Sequence, residues 1–114
     1  TVAVTPGIQQ YHASAAKMWA YVTVSCGTPS LDASYNVTSI TDTSAGNVTV
    51  TIATDFSSAN YCAVANAITA GGVSHVASVK TRQGAGTLVV RTYLGSAGTD
   101  TDNINLAVVA FGDQ

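Results

Sequence analysis

Charge is what this sequence has least of. Of 114 residues only 9 % are charged, the net charge is −2, and every acidic residue is Asp. Soluble domains ordinarily carry about 25 % charged residues. The four cations, Lys17, Lys80, Arg82 and Arg91, form no basic run. Nucleic-acid binding needs clustered Lys and Arg that displace counterions from phosphate, so no nucleic-acid partner is expected. The chain also lacks the high charge and low apolar content of disordered segments. Leu is scarce, Glu is missing and Met occurs once, which removes most of the strong helix formers. No apolar stretch approaches the roughly 20 residues of a membrane span, and no basic-then-apolar leader opens the chain. Membrane insertion is therefore not expected. Thr1 is not preceded by an initiator Met and the first residues read as linker, so the sequence is expected to be a piece, or the processed end, of a longer chain. Cys26 and Cys62 are too few for a disulfide framework and lack the paired spacing of a zinc site. They are expected to be two small buried hydrophobes rather than a bridge.

Val, Thr, Ile and Ala take the place of the missing residues, and they favour sheet. One domain of this length can bury roughly two-thirds of its unfolded surface. Residues 1–15 read as an extended lead-in, with a turn signal at Thr5-Pro6-Gly7, and residues 16–114 as the folded domain. From Ala16 to Ser25 the pattern alternates, Met18, Ala20, Val22 and Val24 against Lys17, Trp19, Tyr21 and Thr23. Cys26 to Ser30 is expected to break that strand with Gly and Pro. Further strands are predicted at Tyr35–Thr41, Val48–Thr54, Tyr61–Thr69, Val73–Arg82, Thr87–Leu94 and Asn103–Phe111. Gly-containing turns, such as Asp42 to Asn47, separate several of them. In the last strand Ile104, Leu106, Val108 and Ala110 alternate with Asn103, Asn105, Ala107, Val109 and Phe111. Seven or eight short strands with turns every 8–12 residues is the pattern of an all-β antiparallel sandwich, jelly-roll-like in layout.

Candidate chemistry is thin. His12 lies in the lead-in and His75 follows Ser74 on a predicted strand, but no Gly-x-Ser-x-Gly elbow occurs. Asp32, Asp42, Asp55, Asp100, Asp102 and Asp113 could in principle supply a glycosidase pair, yet most sit in turns, where Asp bonds its own backbone. Asp100-Thr101-Asp102-Asn103 lacks the Gly and distal Glu of a calcium loop, and Gly84-Ala85-Gly86 opens no helix. No catalytic residue, metal or cofactor is expected. Asn36-Val37-Thr38 and Asn47-Val48-Thr49 match the glycosylation triplet, a cheap match in a chain rich in Asn and Thr. The aromatic residues Tyr11, Trp19, Tyr21, Tyr35, Tyr61 and Tyr93 suit core packing, protein interfaces or sugar stacking. Trp19 and Tyr21, with Val109 and Phe111, occupy second faces too apolar for solvent. They are predicted to pack against another copy of the chain, and a surface clothed in Thr, Ser, Asn and Gly is cheap to desolvate in such an assembly.

Ala15-Ala16-Lys17-Met18-Trp19, followed by Ala33-Ser34-Tyr35-Asn36-Val37-Thr38-Ser39-Ile40-Thr41-Asp42, resembles a domain found at the ends of bacteriophage tail fibres and related virion proteins. Gly46 to Ile52, Ala59-Asn60-Tyr61, Arg91-Thr92-Tyr93 and Asn105 to Gly112 continue the likeness, which covers roughly residues 12–114. It departs at Met18, at Val22 and in the Cys26–Pro29 loop. The resemblance implies a β-rich module, trimeric, displayed on a virion, and it transfers no catalytic residue. The expectation is a phage tail-fibre or appendage domain that oligomerises with itself, contacts other virion proteins and contributes to host attachment through a surface glycan or protein. A capsid decoration or head-fibre protein and a bacterial lectin-like module are the alternatives. Receptor contacts are expected in the loops Thr28 to Ser34, Thr69 to Ser74, Gln83 to Thr87 and Gly95 to Asn103.

Overall fold

A computed structural model of the protein describes residues 3, 5–69, 73–82, 84–101 and 104–114, with Arg82 described by its backbone alone. The described chain is all-β apart from one helical turn, α1 (Pro6–Gln9), which opens with Pro where a helix tolerates it. That turn falls at the Thr5-Pro6-Gly7 turn signal within the lead-in. Eight strands follow: β1 (Met18–Ser25), β2 (Thr28–Tyr35), β3 (Val37–Ser44), β4 (Asn47–Ile52), β5 (Cys62–Ile68), β6 (His75–Arg82), β7 (Thr87–Leu94) and β8 (Asn105–Phe111). They form two four-stranded antiparallel sheets, ordered β2-β1-β8-β5 and β3-β4-β7-β6. β6 and β7 form a hairpin in one sheet, and β8 pairs with both β1 and β5 in the other.

The core lies where the alternation placed it. Met18, Ala20 and Val22 of β1, Val48, Val50 and Ile52 of β4, Leu88 and Val90 of β7, and Leu106, Val108 and Ala110 of β8 face one another between the sheets. Fully burying each of the larger side chains contributes about 1.5–3 kcal/mol. Phe56 and Tyr61 close one end, stacked with ring centroids 4.2 Å apart and planes 12° from parallel. The Tyr61 hydroxyl donates to the Thr87 carbonyl at 3.1 Å. Gly112 passes so close to this pair that an added Cβ would lie 2.8 Å from the Tyr61 Cβ.

β2 is a strand that the sequence pattern hides. The expected break at Cys26–Ser30 is only a two-residue turn, Cys26-Gly27, with φ of 50° and 78°. Thr28 already pairs with Ser25, and Pro29 with Val24. Two positive φ values give the tight turn whose twist suits a hairpin, and an edge strand tolerates proline because one side of it donates to nothing. β2 is mostly exposed and held by pairing rather than burial, so it shows no apolar alternation. Both cysteines correct the expectation of burial: Cys26 sits in this turn, Cys62 on the outer side of β5, and both are exposed free thiols.

Asn36 joins the sheets. It lies between β2 and β3 with φ of 58°, a left-handed conformation that Asn adopts more readily than other side-chain-bearing residues. Its Nδ2 donates to the carbonyls of Lys17 (2.9 Å) and Thr54 (3.1 Å), and its Oδ1 accepts from the Thr54 amide (2.7 Å). The Asn47 side chain is buried and donates to the Ala45 carbonyl at 2.8 Å. Both amides of the glycosylation triplets are thus engaged within the fold. Lys17, assigned by alternation to an outward face, is buried instead.

Candidate functional site

The two sheets differ on their outer faces. Sheet β3-β4-β7-β6 shows water a polar surface that includes Thr43 and Thr49, whose hydroxyls lie 2.6 Å apart. A polar knot sits on the same sheet: Arg91 Nε donates to Asp100 at 2.5 Å, Arg91 also donates to the Gly98 carbonyl, and Lys80 Nζ donates to Asn47 Oδ1 at 3.1 Å. This knot pins the start of the β7–β8 connection across Tyr93, whose ring lies 4.7 Å from the Arg91 guanidinium carbon.

The outer face of sheet β2-β1-β8-β5 is apolar. Antiparallel register places Tyr35, Trp19, Val109 and Val64 in one row across the four strands, and Ala33, Tyr21, Ala107 and Asn66 in the next. Residues opposed in this way share a face, with Cβ atoms about 4.5–5.5 Å apart. Trp19, Tyr35 and Val64 remain 41 %, 48 % and 57 % exposed. Between Trp19, Tyr21, Val64, Ala107 and Val109 runs an open, shallow groove of about 430 Å³.

Of the four residues predicted to form an interface, the structure brings Trp19, Tyr21 and Val109 together around this groove. Phe111 lies on the same face one pair farther along β8, opposite Cys62 and outside the groove. Tyr35, one of the six aromatic residues suited to an interface by type, joins this face, as does Val64, which the sequence does not single out. Tyr35 arrives through β2, whose pairing is not encoded in its own pattern. Val64 did carry a signal: in β5 the larger residues Val64, Asn66 and Ile68 alternate with Ala63, Ala65 and Ala67, and the alanines point inward.

His12 Nδ1 lies 2.6 Å from the Ser14 hydroxyl and accepts from the Ser14 amide, a local exposed pair two residues apart. His75 Nδ1 is buried at the start of β6 with no hydrogen-bond partner among the described residues. Asp100 is paired with Arg91, and Asp32 accepts from the hydroxyls of Thr23 and Ser30. Among the described residues no three His, Cys or Asp side chains converge as metal ligands would.

The loops expected to contact a receptor divide. Thr28 to Ser34 is strand β2, because pairing with β1 holds it extended, and this corrects the expectation of a loop. The connections after β5 and β7 lie at one end of the sandwich, and the β6–β7 connection lies at the other. Residues 70–72, 83, 102 and 103 within those loops fall outside the described residues, as does the Asp102-Asn103 half of the cation candidate. Scans of family models, curated proteins and solved structures return no match to the chain.

Proposed function

We propose that the chain is a non-catalytic, self-associating module of a bacteriophage tail fibre or comparable virion appendage, trimeric and jelly-roll-like in its layering, that contributes to attachment at the host surface. The observation that carries this reading is the apolar outer face of sheet β2-β1-β8-β5. Contiguous exposed apolar surface on a soluble domain marks an interaction site. The motif resemblance supplies the setting, and the low charge lowers the desolvation cost of assembly.

The face alone falls short of a stable pairwise contact. Four strands at ~4.8 Å spacing and seven residues at ~3.4 Å rise span about 450 Å². A stable pairwise interface buries about 800 Å² per partner, so flanking surface must join this face. A threefold arrangement, in which each copy sits between two others, recruits that flanking surface.

Sedimentation of the purified chain tests the proposal, with trimers expected at micromolar concentration. The exposed 41 % of Trp19 amounts to about 100 Å² of an aromatic side chain. At ~25 cal/mol per Å² this is worth about 2.5 kcal/mol per contact, or roughly 70-fold in affinity. Trp19→Ser combined with Val64→Ser is therefore expected to sediment as a monomer with an unchanged circular-dichroism spectrum. A monomeric parent protein overturns the proposal.

A further inference from the structure

Lys17 is buried to 5 % exposure, and among the described residues no carboxylate forms an ion pair with it. The one ion pair among the described residues joins Arg91 to Asp100. Lys17 Nζ donates to the Gln10 carbonyl, a neutral acceptor that uses one of its three N–H groups. Buried cations are ordinarily paired, because a desolvated charge without a counter-charge is costly. Lys17 is not sealed in the core, however. It lines a recess of about 260 Å³ together with Gln10, Tyr11, Tyr35, Asn36 and Gln114. No Asp borders this recess.

Separate parts of the chain converge here at one end of the sandwich: the lead-in, the β2–β3 joint, the segment after β4 and the C-terminal residues. Each wall has a distinct chemistry. Tyr11 is 73 % exposed, so its ring is available to a ligand, whereas Tyr35 belongs to the apolar face proposed to meet another copy. Gln114 Nε2 donates to the Thr54 carbonyl at 2.6 Å, which leaves its Oε1 and second N–H available. Asn36 has both N–H groups committed to backbone carbonyls, so it holds the wall in place.

We propose that this recess binds a pyranose bearing a carboxylate, a uronic or sialic acid residue of a surface glycan, with Lys17 meeting the carboxylate. The volume falls below the roughly 300–1,000 Å³ of drug-sized pockets and suits a single sugar ring. The Tyr11 ring offers flat apolar surface to the C–H side of such a ring. The glutamine amides match its hydroxyls, and the two remaining Lys17 N–H groups form charge-assisted bonds to the carboxylate. A neutral sugar leaves the ammonium unmatched, and a bare inorganic anion leaves the Tyr11 ring unused. The inference deepens the attachment part of the proposed function and rests on it for setting. It does not depend on self-association.

The test is a calorimetric and NMR titration of the full chain with methyl β-glucuronide and N-acetylneuraminic acid, compared with the methyl ester of the glucuronide, methyl β-glucoside and sulfate. The acids are expected to bind about tenfold or more tightly than the ester and the glucoside, with resonances of Gln10, Tyr11, Lys17 and Gln114 shifting. One lost charge-assisted contact is enough for a factor of that size. Lys17→Met is expected to abolish the preference for the acid. Should that buried replacement fail to fold, Tyr11→Ala at an exposed position is expected to weaken the acids several-fold while the fold persists. Equal binding of acid and ester, shifts confined to other surfaces, or sulfate competing as well as glucuronide each overturn the assignment. Failure of both acids to bind a protein that still sediments as a trimer removes this site and leaves the module. A monomer that binds them keeps the site and removes the self-associating module.

Discussion

Replacing Asn36 in parallel by Gly, Ala and Asp separates what its backbone and its side chain contribute at the joint between the sheets. Asn36→Gly accepts the φ of 58° without strain but loses three hydrogen bonds, two from Nδ2 and one to Oδ1. At a net ~1 kcal/mol each, the loss is about 3 kcal/mol. Asn36→Ala loses the same bonds and forces a Cβ into the left-handed region, which adds roughly 1 kcal/mol. Asn36→Asp keeps an acceptor for the Thr54 amide but brings no donor for the carbonyls of Lys17 and Thr54, a cost of about 2 kcal/mol. The expected order of stability is parent, Asp, Gly, Ala. Urea unfolding followed by circular dichroism at one fixed protein concentration measures the set, since association would otherwise shift the midpoints. In thermal melts each ~1 kcal/mol corresponds to roughly 4–8 °C for a domain of about this size. Equal stability of the Gly and Ala variants would refute the backbone argument, and an Asp variant as stable as the parent would refute the role of the two donors.

Gly46→Ala is expected to cost about 3 kcal/mol or more, because φ is 70° there and a Cβ would lie 2.6 Å from the Thr92 carbonyl oxygen; an unchanged urea midpoint would contradict this. Tyr61→Phe keeps the stack on Phe56 and loses the bond to the Thr87 carbonyl, so a loss of about 1 kcal/mol is expected from the same assay. Cys26 and Cys62 are both exposed, so both should react with a maleimide in the native protein without denaturant, as mass spectrometry would show. Cys62, opposite Phe111 on the apolar face, should react more slowly as protein concentration rises, and the Trp19→Ser, Val64→Ser variant should restore its rate. Concentration-independent labelling of Cys62 would argue against that face as the contact between copies.

The alternation in β4, β7 and β8 could be read directly because central strands bury one face completely, so side-chain type and position agree at nearly every residue. Val48, Val50 and Ile52 are inward as expected, and so are Leu106, Val108 and Ala110. The pattern fails where burial stops deciding. β2 is an edge strand whose order comes from its neighbour, so its composition resembles a loop. Cys62 looks like a core residue by type, but β5 turns its alanines inward and leaves the thiol outside. Lys17 looks like a surface residue by type, but the lead-in and the β2–β3 joint fold over it. The two-sided apolar character of β1 and β8 was legible and located most of the candidate face, since a period of two assigns residues to faces whatever the partner strands are.

The class of the fold, the core positions of the central strands and the existence of an unusually apolar second face are all legible in the sequence. Each follows from local alternation and from the scarcity of helix formers and charge, which act within a few residues of chain. Which residues meet is set by the folded chain. Tyr35 and Val64 join Trp19 and Val109 only through antiparallel register across four strands, and Lys17 acquires its recess only where four distant segments converge. Register and convergence depend on long-range pairing, for which a residue's near neighbours in sequence carry no signal.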